Sequence, residues 1–253
     1  MRIISAAPSN TEILYALGLG DDVVAVTRFC DYPAEAKEKP KIGGWLDVKY
    51  DKLKEFNADL VVTSTFVQDK VKGELERRGI KVLHVDPITL SDVYDTIRFI
   101  GKTVNKSERA EEIVKEMQEG FLQVQEKRGI VTTRTRVYCE EWNEPPSASG
   151  NWVPELIEIA GGNSFAPVGL HSMPIEEQKL FAWQPDMIVL SWCGFGTNSR
   201  IDWVKTRVGW DKLLAVRENK IYQFDESLLN RPSPRLVQGA EMLAKLLHPE
   251  KFK

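Results

Sequence analysis

Apolar and polar residues follow one another along the chain with two different periods, which predict short buried strands and amphipathic helices. The clearest helix runs from Asn105 to about Arg128, where apolar residues recur at steps of three and four. These residues are Ala110, Ile113, Val114, Met117, Phe121 and Val124. Asn105 followed by Glu108 fits a capping box at the start of this helix. The pattern predicts one long helix with an apolar stripe.

The residues before this helix predict alternating strands and helices. The predicted strands are Arg2–Ala7, Val23–Thr27, Asp59–Ser64 and Lys81–Asp86. The predicted helices follow the loop at Pro8, with Ser9 and Glu12 as a capping box, and then cover Tyr50–Phe56, Asp69–Arg78 and Ser91–Val104. This order is typical of a parallel sheet covered by helices.

The residues after the long helix repeat this order. Strand Arg136–Glu140 leads into an irregular stretch rich in Pro, Ser and Gly, and a helix opens at Pro154. Strands Asp186–Leu190 and Lys220–Asp225 and a helix over Arg235–Leu247 complete the series. Similar segments occur in the same order in both halves, at an offset of roughly 130 to 140 residues. We therefore predict a lobe over residues 1–104, a connecting helix over 105–128 and a second lobe over 129–253.

Composition narrows the functional classes. The chain of 253 residues is 42% hydrophobic and 28% charged, as in ordinary globular proteins, and its net charge of -3 argues against a nucleic-acid partner. No apolar run approaches the roughly 20 residues that span a bilayer. Because the chain enters its first strand directly, without a signal peptide, the sequence as it stands predicts a cytoplasmic protein. Cys30, Cys139 and Cys193 have no disulfide or zinc spacing.

The sequence contains no motif of a known catalytic centre. A nucleophile elbow, a phosphate-binding loop and an HExxH motif are all missing, so we expect a protein that is not an enzyme. His84 falls inside a predicted strand, and only His171, in a loop, is of interest as a functional histidine. We expect neither a cofactor nor a bound metal ion of the protein's own.

Aromatic residues give the better functional signal. They follow predicted strands, where the loops of open α/β sheets line the ligand crevice. They are Trp45, Phe66, Trp142, Trp152, Trp192 and Phe195. Tryptophan in such loops suits a large flat ligand, although packing within the loops explains some of these residues equally well.

Several motifs resemble the cobalamin-binding proteins of the helical-backbone metal-receptor superfamily, and the resemblance runs nearly end to end. The motifs are Ala7–Glu12, Cys30–Pro33, Gly43–Gly44, Glu141–Pro146, Gly150–Leu156, Ala160–Asn163 and Arg231–Arg235. The motif Ala7–Glu12 and the Ala-Gly-Gly pattern within Ala160–Asn163 are shared with siderophore and haem binders of the superfamily. The stretches Asn151–Gly162 and Arg231–Arg235 point more narrowly to the cobalamin branch.

The resemblance implies an α/β fold of two Rossmann-like lobes joined by one long α-helix, with a ligand cleft between the lobes. It implies a monomeric substrate-binding protein of an ABC importer that binds cobalamin or a related corrinoid and lies outside the cytoplasm. The implied ligand-binding residues are Pro8, Ser9, Asn10, Trp45, Ser64, Thr65, Phe66, Trp142, Trp152, Trp192, Phe195 and Arg231. The implied carboxylates for docking to a permease are Asp69, Glu176 and Glu177.

Two other functions stay open from the sequence. A ferric siderophore or haem receptor would use cationic residues or a Tyr or His ligand, for which Arg231, Arg200, His171 and Tyr32 are available. An enzyme or corrinoid carrier of the cytoplasm would use the same crevice, because a fold alone does not fix a function.

Overall fold

In a computed structural model, which describes residues 1–252, the chain forms two compact units. Unit 1 comprises Met1–Pro87 and Ser91–Glu116, and unit 2 comprises Ile88–Leu90 and the described residues from Met117 onward. The long helix passes from unit 1 into unit 2 between Glu116 and Met117. The predicted fold class, two Rossmann-like α/β lobes joined by one long helix, is confirmed.

Unit 1 is built on a four-stranded parallel sheet in the order β2-β1-β3-β4. Its strands are β1 (Ile3–Ser5), β2 (Val23–Val26), β3 (Leu60–Ser64) and β4 (Val82–Val85). Its helices are α1 (Pro8–Ala16), α2 (Tyr50–Leu53), α3 (Asp69–Arg77), α4 (Leu90–Thr103) and the first part of α5 (Ser107–Arg128). The strands are short, largely buried apolar runs, as expected of a sheet with helices on its faces.

Unit 2 contains a mixed sheet in the order β10-β9-β5-β6-β8, with β7 paired to β5. Its strands are β5 (Arg136–Asn143), β6 (Pro146–Ala148), β7 (Asn163–Ser164), β8 (Met173–Pro174), β9 (Met187–Leu190) and β10 (Ile221–Gln223). Its further helices are α6 (Val153–Ile159), α7 (Glu177–Trp183), α8 (Ile201–Lys205), α9 (Leu214–Arg217) and α10 (Leu236–Leu247). Strands β5, β7, β9 and β10 pair in parallel, whereas β6 is antiparallel to both β5 and β8.

The stretch predicted as irregular after Glu140 is therefore partly regular. Strand β5 continues to Asn143 and turns back into β6 as an antiparallel hairpin. Helices α7, α8 and α9 were also not predicted. Each has only four to seven residues, and none has a proline in its first turn as α6 does.

Both predicted capping boxes are wrong. Helix α1 begins at Pro8, a residue favoured at the first helical position, and its N-cap is Ala7, which makes no side-chain cap bond. Asn105 has a φ of +57° and follows the end of α4, and Lys106 N–H donates to the Gly101 carbonyl, 2.7 Å. Asn105 therefore terminates α4 in the left-handed conformation rather than starting α5.

Each unit has its own apolar core. In unit 1, Ile4, Val61 and Leu75 are among the buried residues that join the sheet to α3. In unit 2, Trp192 and Trp210 pack in one cluster of buried side chains. All six residues of the predicted stripe on α5 are buried, which confirms that prediction. Burial of this much apolar surface is the main stabilising contribution in both units.

Candidate functional site

The sequence-predicted binding residues of unit 1 lie at one edge of its sheet. Pro8, Ser9 and Asn10 form the first turn of α1 after β1, and Trp45 lies in the loop after β2. Ser64, Thr65 and Phe66 lie at the end of β3 and directly after it. Because β1, β2 and β3 are adjacent and parallel, the structure brings these loops together at the carboxyl edge, where α/β folds bind ligands.

Polar side-chain atoms without a hydrogen-bond partner concentrate in these loops. Nine buried polar side-chain atoms lack a partner among residues 1–252, and five of them belong to Asn10, Trp45, Ser64 and Thr65. They are both amide atoms of Asn10, the indole Nε1 of Trp45 and the hydroxyl oxygens of Ser64 and Thr65. A buried polar atom without a partner costs about 1–3 kcal/mol. Hydrogen-bonding groups of a ligand or water would remove that cost.

Thr65 also has a strained backbone. Its φ of +63° and ψ of +153° lie in a region that residues with a Cβ rarely adopt. Thr65 N–H donates to the Val85 carbonyl over 2.7 Å, and Gln68 N–H donates to the Thr65 carbonyl over 2.9 Å, so both neighbours hold this conformation in place. Strain of this kind concentrates at ligand-binding positions.

Gln68 lies beneath the same loops, and no sequence pattern distinguishes it from a surface glutamine. Its side chain is fully buried. Its Nε2 donates to the Ala6 carbonyl over 2.9 Å and to the Trp45 carbonyl over 2.7 Å, and its Oε1 accepts from Ser64 N–H over 2.7 Å. One amide therefore connects the residues that follow β1, β2 and β3.

Apolar side chains are exposed in the loops after β2 and β3. Phe66 is 50% exposed, so half of its side chain lies at the surface. The other exposed large hydrophobic residues of these loops are Phe29, Tyr32, Leu46 and Val67. Unit 1 thus presents apolar surface next to unpartnered neutral polar atoms.

Trp142 and Phe195 form an aromatic pair in unit 2. Trp142, near the end of β5, is 44% exposed, and its Nε1 donates to the Glu144 carbonyl over 2.9 Å. Phe195, in the loop after β9, meets it edge to face with 6.4 Å between ring centroids. The indole face of Trp142 is therefore held in a fixed orientation and accessible.

Trp152 and Trp192, by contrast, lie inside unit 2. Trp152 is 2% exposed and donates from Nε1 to the Leu229 carbonyl over 2.7 Å. Trp192 is completely buried and donates from Nε1 to Glu140 Oε1 over 2.9 Å. Neither ring offers a face to a ligand in this conformation, and both indole N–H groups are satisfied. The contacts of Trp152 and Trp192 are those of core residues. The sequence did not predict this, because neither residue type nor position in a loop indicates how deeply a side chain is buried.

Glu140 is the centre of a buried polar network that the sequence did not reveal. Its carboxylate accepts from both terminal nitrogens of Arg207, over 2.6 and 2.8 Å, and from Tyr138 and Trp192. Burial raises the pKa of Glu140, and the guanidinium of Arg207 acts in the opposite direction. Arg207 also stacks over Trp210, 4.4 Å from the ring centroid. This network fixes Trp192 and the loop after β9.

Glu141 is the second titratable group at this edge of unit 2. It accepts hydrogen bonds from Ser172 Oγ and, more weakly over 3.5 Å, from Cys193 Sγ. Burial raises the pKa of Glu141, against the lowering effect of these two hydrogen bonds. The same environment raises the pKa of the Cys193 thiol well above its usual value, mainly through burial. Burial thus disfavours the ionised form of both groups.

Arg231 and His171 are both held by neighbours in unit 2. Arg231 pairs with Glu226 at 3.1 Å, and both side chains are nearly buried. His171 Nδ1 lies 3.2 Å from Asn151 Oδ1. The loop carrying His171 is attached to residues 150–151, because Asn151 N–H donates to the Leu170 carbonyl over 2.6 Å. The backbone of that loop approaches Gly150 so closely that any side chain there would collide with it.

The three predicted docking carboxylates have exposed positions and different partners. Asp69 Oδ1 lies 3.5 Å from His84 Nε2, and Glu176 pairs with Lys179 over 2.7 Å. Glu177 accepts from the indole Nε1 of Trp210 over 2.7 Å, so it also supports the core. None of these contacts tests a docking role.

Residues 1–252 contain no cluster of three or more His, Cys, Asp or Glu side chains with the geometry to hold a metal ion. Within the same part of the chain, no helix has both the length and the apolar character needed to cross a membrane.

Comparison with known proteins identifies the family. A model of the family described as "Periplasmic binding protein" matches residues 3–228. YvrC, an uncharacterized ABC transporter substrate-binding lipoprotein of Bacillus subtilis, is 31% identical, with 100% of this chain and 81% of the relative covered. A vitamin B12-binding protein of Vibrio parahaemolyticus is 26% identical, with 94% and 86% covered.

Solved structures share the fold. The structure of IsdE from Staphylococcus aureus complexed with haem superposes with a TM-score of 0.84 at 18% identity, covering 98% of each chain. At this low sequence identity, the superposition shows only that the two proteins share a fold. The chain belongs to the periplasmic binding protein family and is a substrate-binding component of an ABC importer.

Proposed function

We propose that the protein binds a corrinoid such as cobalamin, without chemical action on it. The observation that carries this proposal is the combination in unit 1 of exposed aromatic rings with five unpartnered atoms of neutral polar side chains. A corrinoid is a large macrocycle that carries amide groups at its periphery. Aromatic rings suit the macrocycle, and neutral donors and acceptors suit the amides.

The pairing of arginines in both units supports a ligand with neutral side groups. Four arginines outside the helices and strands each pair with a carboxylate of their own unit. The pairs are Arg28–Asp47 at 2.9 Å, Arg200–Asp202 at 2.8 Å, Arg207–Glu140 at 2.6 Å and Arg231–Glu226 at 3.1 Å. A haem carries two carboxylates and would gain most from uncompensated cations. Compensated arginines therefore favour the corrinoid, and the vitamin B12-binding relative supports the same choice.

Haem is the second candidate, and His171 is the observation that favours it. A hydrogen bond from Nδ1 to an oxygen acceptor such as Asn151 Oδ1 orients an imidazole for binding a metal through Nε2. Haem iron accepts histidine as an axial ligand. A ferric siderophore is less well served, because its iron is already fully coordinated and the arginines are paired.

Titration of the purified protein with cyanocobalamin, haemin and a ferric siderophore tests the proposal. Calorimetry gives the affinities, and visible spectra report changes at the metal. We expect saturable binding of one cyanocobalamin and at least tenfold weaker binding of the other two. Tight haemin binding with a shifted Soret band, and no heat with cyanocobalamin, would instead establish the haem function.

We further propose that the protein works outside the cytoplasm as a monomer and docks to its permease through Asp69 and Glu176. Exposed carboxylates of this kind mainly raise association rates in a salt-dependent manner. Glu177 is a poorer test residue, because its loss also removes the bond from Trp210. Asp69→Ala with Glu176→Ala should slow association with the permease in a reconstituted system and leave ligand affinity unchanged. Unchanged association at low salt would exclude the docking role.

A further inference from the structure

We infer that Gln68 is a positioning residue of the ligand site in unit 1, because its single amide joins the backbone of the three loops that carry the unpartnered polar atoms. This inference rests on the proposed function. Gln68 does not itself face the ligand, since its side chain is fully buried and each polar group of its amide is engaged. It acts through its three partners.

Each partner of Gln68 lies at or close to an unpartnered side chain. The carbonyl of Ala6 precedes α1, in whose first turn Asn10 lies. The second carbonyl is that of Trp45 itself. The N–H is that of Ser64, directly before Thr65. The relative positions of the Asn10 amide, the Trp45 indole and the two hydroxyl groups are therefore coupled through one side chain.

Glutamine is the residue that this arrangement requires. Two N–H donors must reach two carbonyl oxygens while an acceptor reaches an N–H, and a side-chain amide supplies both functions in one plane. Glutamate would direct oxygens at the carbonyls of Ala6 and Trp45, and methionine would fill the space without any of the three bonds. The side chains that form a binding site must be held within about 0.5 Å of their productive positions. Loss of the bonds from Gln68 to the three loops therefore lowers the affinity for the ligand.

The test compares Gln68→Met and Gln68→Glu with Gln184→Met as the matched control. Gln184 also makes structural bonds through its amide, from Nε2 to the Phe181 carbonyl over 2.8 Å and from Leu214 N–H to Oε1 over 3.0 Å. It lies in unit 2, between α7 and β9, and contacts none of the candidate site residues through these bonds. Dissociation constants for cyanocobalamin and haemin are measured with the melting temperature of each variant.

We expect Gln68→Met to weaken binding at least tenfold and Gln184→Met to change it less than threefold, although both lower the melting temperature. Gln68→Glu gives an independent signature, because an ionised carboxylate facing two carbonyls is repelled, whereas its protonated form recovers one donor. Its affinity relative to wild type should therefore be worse at pH 8 than at pH 5. Wild-type affinity in Gln68→Met, or equal losses in Gln68→Met and Gln184→Met, would overturn the inference.

A ligand-independent measurement separates this inference from the proposed function. Amide hydrogen exchange at Ser64 and the NMR signal of the Trp45 indole N–H report the loops without any ligand. If wild-type protein binds none of the three ligands, the proposed function fails. In that case unchanged exchange and an unshifted indole signal in Gln68→Met would also refute the connection, and faster exchange with a shifted signal would support it.

Discussion

Replacement of Arg207 by methionine should destabilise unit 2 strongly. The variant leaves the carboxylate of Glu140, which is completely buried, with only Tyr138 and Trp192 as donors. Removing one partner of a buried ion pair costs about 3–5 kcal/mol, because the other charge stays desolvated. The lost stacking of Arg207 over Trp210 contributes in the same direction. We therefore expect the free energy of unfolding to fall by about 3–5 kcal/mol.

The loss should depend on pH with a defined sign. Burial already raises the pKa of Glu140, and removal of Arg207 removes the main opposing effect. A carboxyl group whose pKa is higher in the folded than in the unfolded protein takes up a proton on folding. Its folded state loses stability as the pH rises through the folded pKa. Arg207→Met should therefore be more destabilised at pH 8 than at pH 5, and Glu140→Gln in the same chain should restore part of the loss.

Urea unfolding followed by tryptophan fluorescence measures this effect, because six of the seven tryptophans lie in unit 2. Arg200→Met is the matched control. Arg200 also pairs with a carboxylate, that of Asp202, and stacks over Trp203, but this pair is exposed to solvent. Exposed pairs contribute about 0–1 kcal/mol. Equal losses in the two variants, or a loss in Arg207→Met that is the same at both pH values, would refute the reasoning.

Three further predictions concern single side chains. Trp142→Ala should weaken cyanocobalamin binding by about 1–3 kcal/mol, as for other aromatic anchors, whereas Trp152→Phe should lower the melting temperature and leave calorimetric affinity unchanged. Burial raises the pKa of Cys139 to about 12 and also raises the pKa of the Cys30 and Cys193 thiols. We therefore expect that no thiol of the folded protein reacts rapidly with Ellman's reagent at pH 8. Gly73→Ala, in α3, should raise the free energy of unfolding by about 0.5–1 kcal/mol, since the added Cβ meets no neighbouring atom. Gly150→Ala should lower it, because the added Cβ would collide with the backbone of Leu170, His171 and Ser172.

The sequence predicted the strands and helices of unit 1 because turn residues separate their apolar runs, although α2 ends at Leu53 rather than at the predicted Phe56. Strand β3 and helix α3 differ from their predicted bounds by one residue. Helices α7, α8 and α9 and the hairpin after β5 were not predicted, because their apolar residues define no period and no proline marks the start of these helices. Local capping rules failed at Ser9 and Asn105, where Pro8 and the end of α4 determine the backbone instead.

The sequence predicted which loops form the candidate site, but not which side chains of those loops are exposed. Strand order places loops at a sheet edge, so Trp45, Thr65 and Trp142 lie where the pattern indicated. Burial depends on contacts between distant segments, which explains why Trp152 and Trp192 proved to be core residues. Gln68 depends on three such contacts at once, and no local pattern records them. The roles of the predicted binding residues stay predictions that the proposed titrations test.

The division of α5 between the two units affects which truncated fragments of the chain can fold. Ala110, Ile113 and Val114 belong to the part of the helix in unit 1, and Phe121 and Val124 to the part in unit 2. Truncation at either end of the helix deprives one unit of apolar side chains that it buries. A fragment ending at Val104 should therefore aggregate or stay partly unfolded, whereas one that retains residues up to 116 keeps its share of the helix. Because the helix is continuous, loss of structure in one unit frays the helical turns of the other, and unfolding of the two units is coupled through a single backbone.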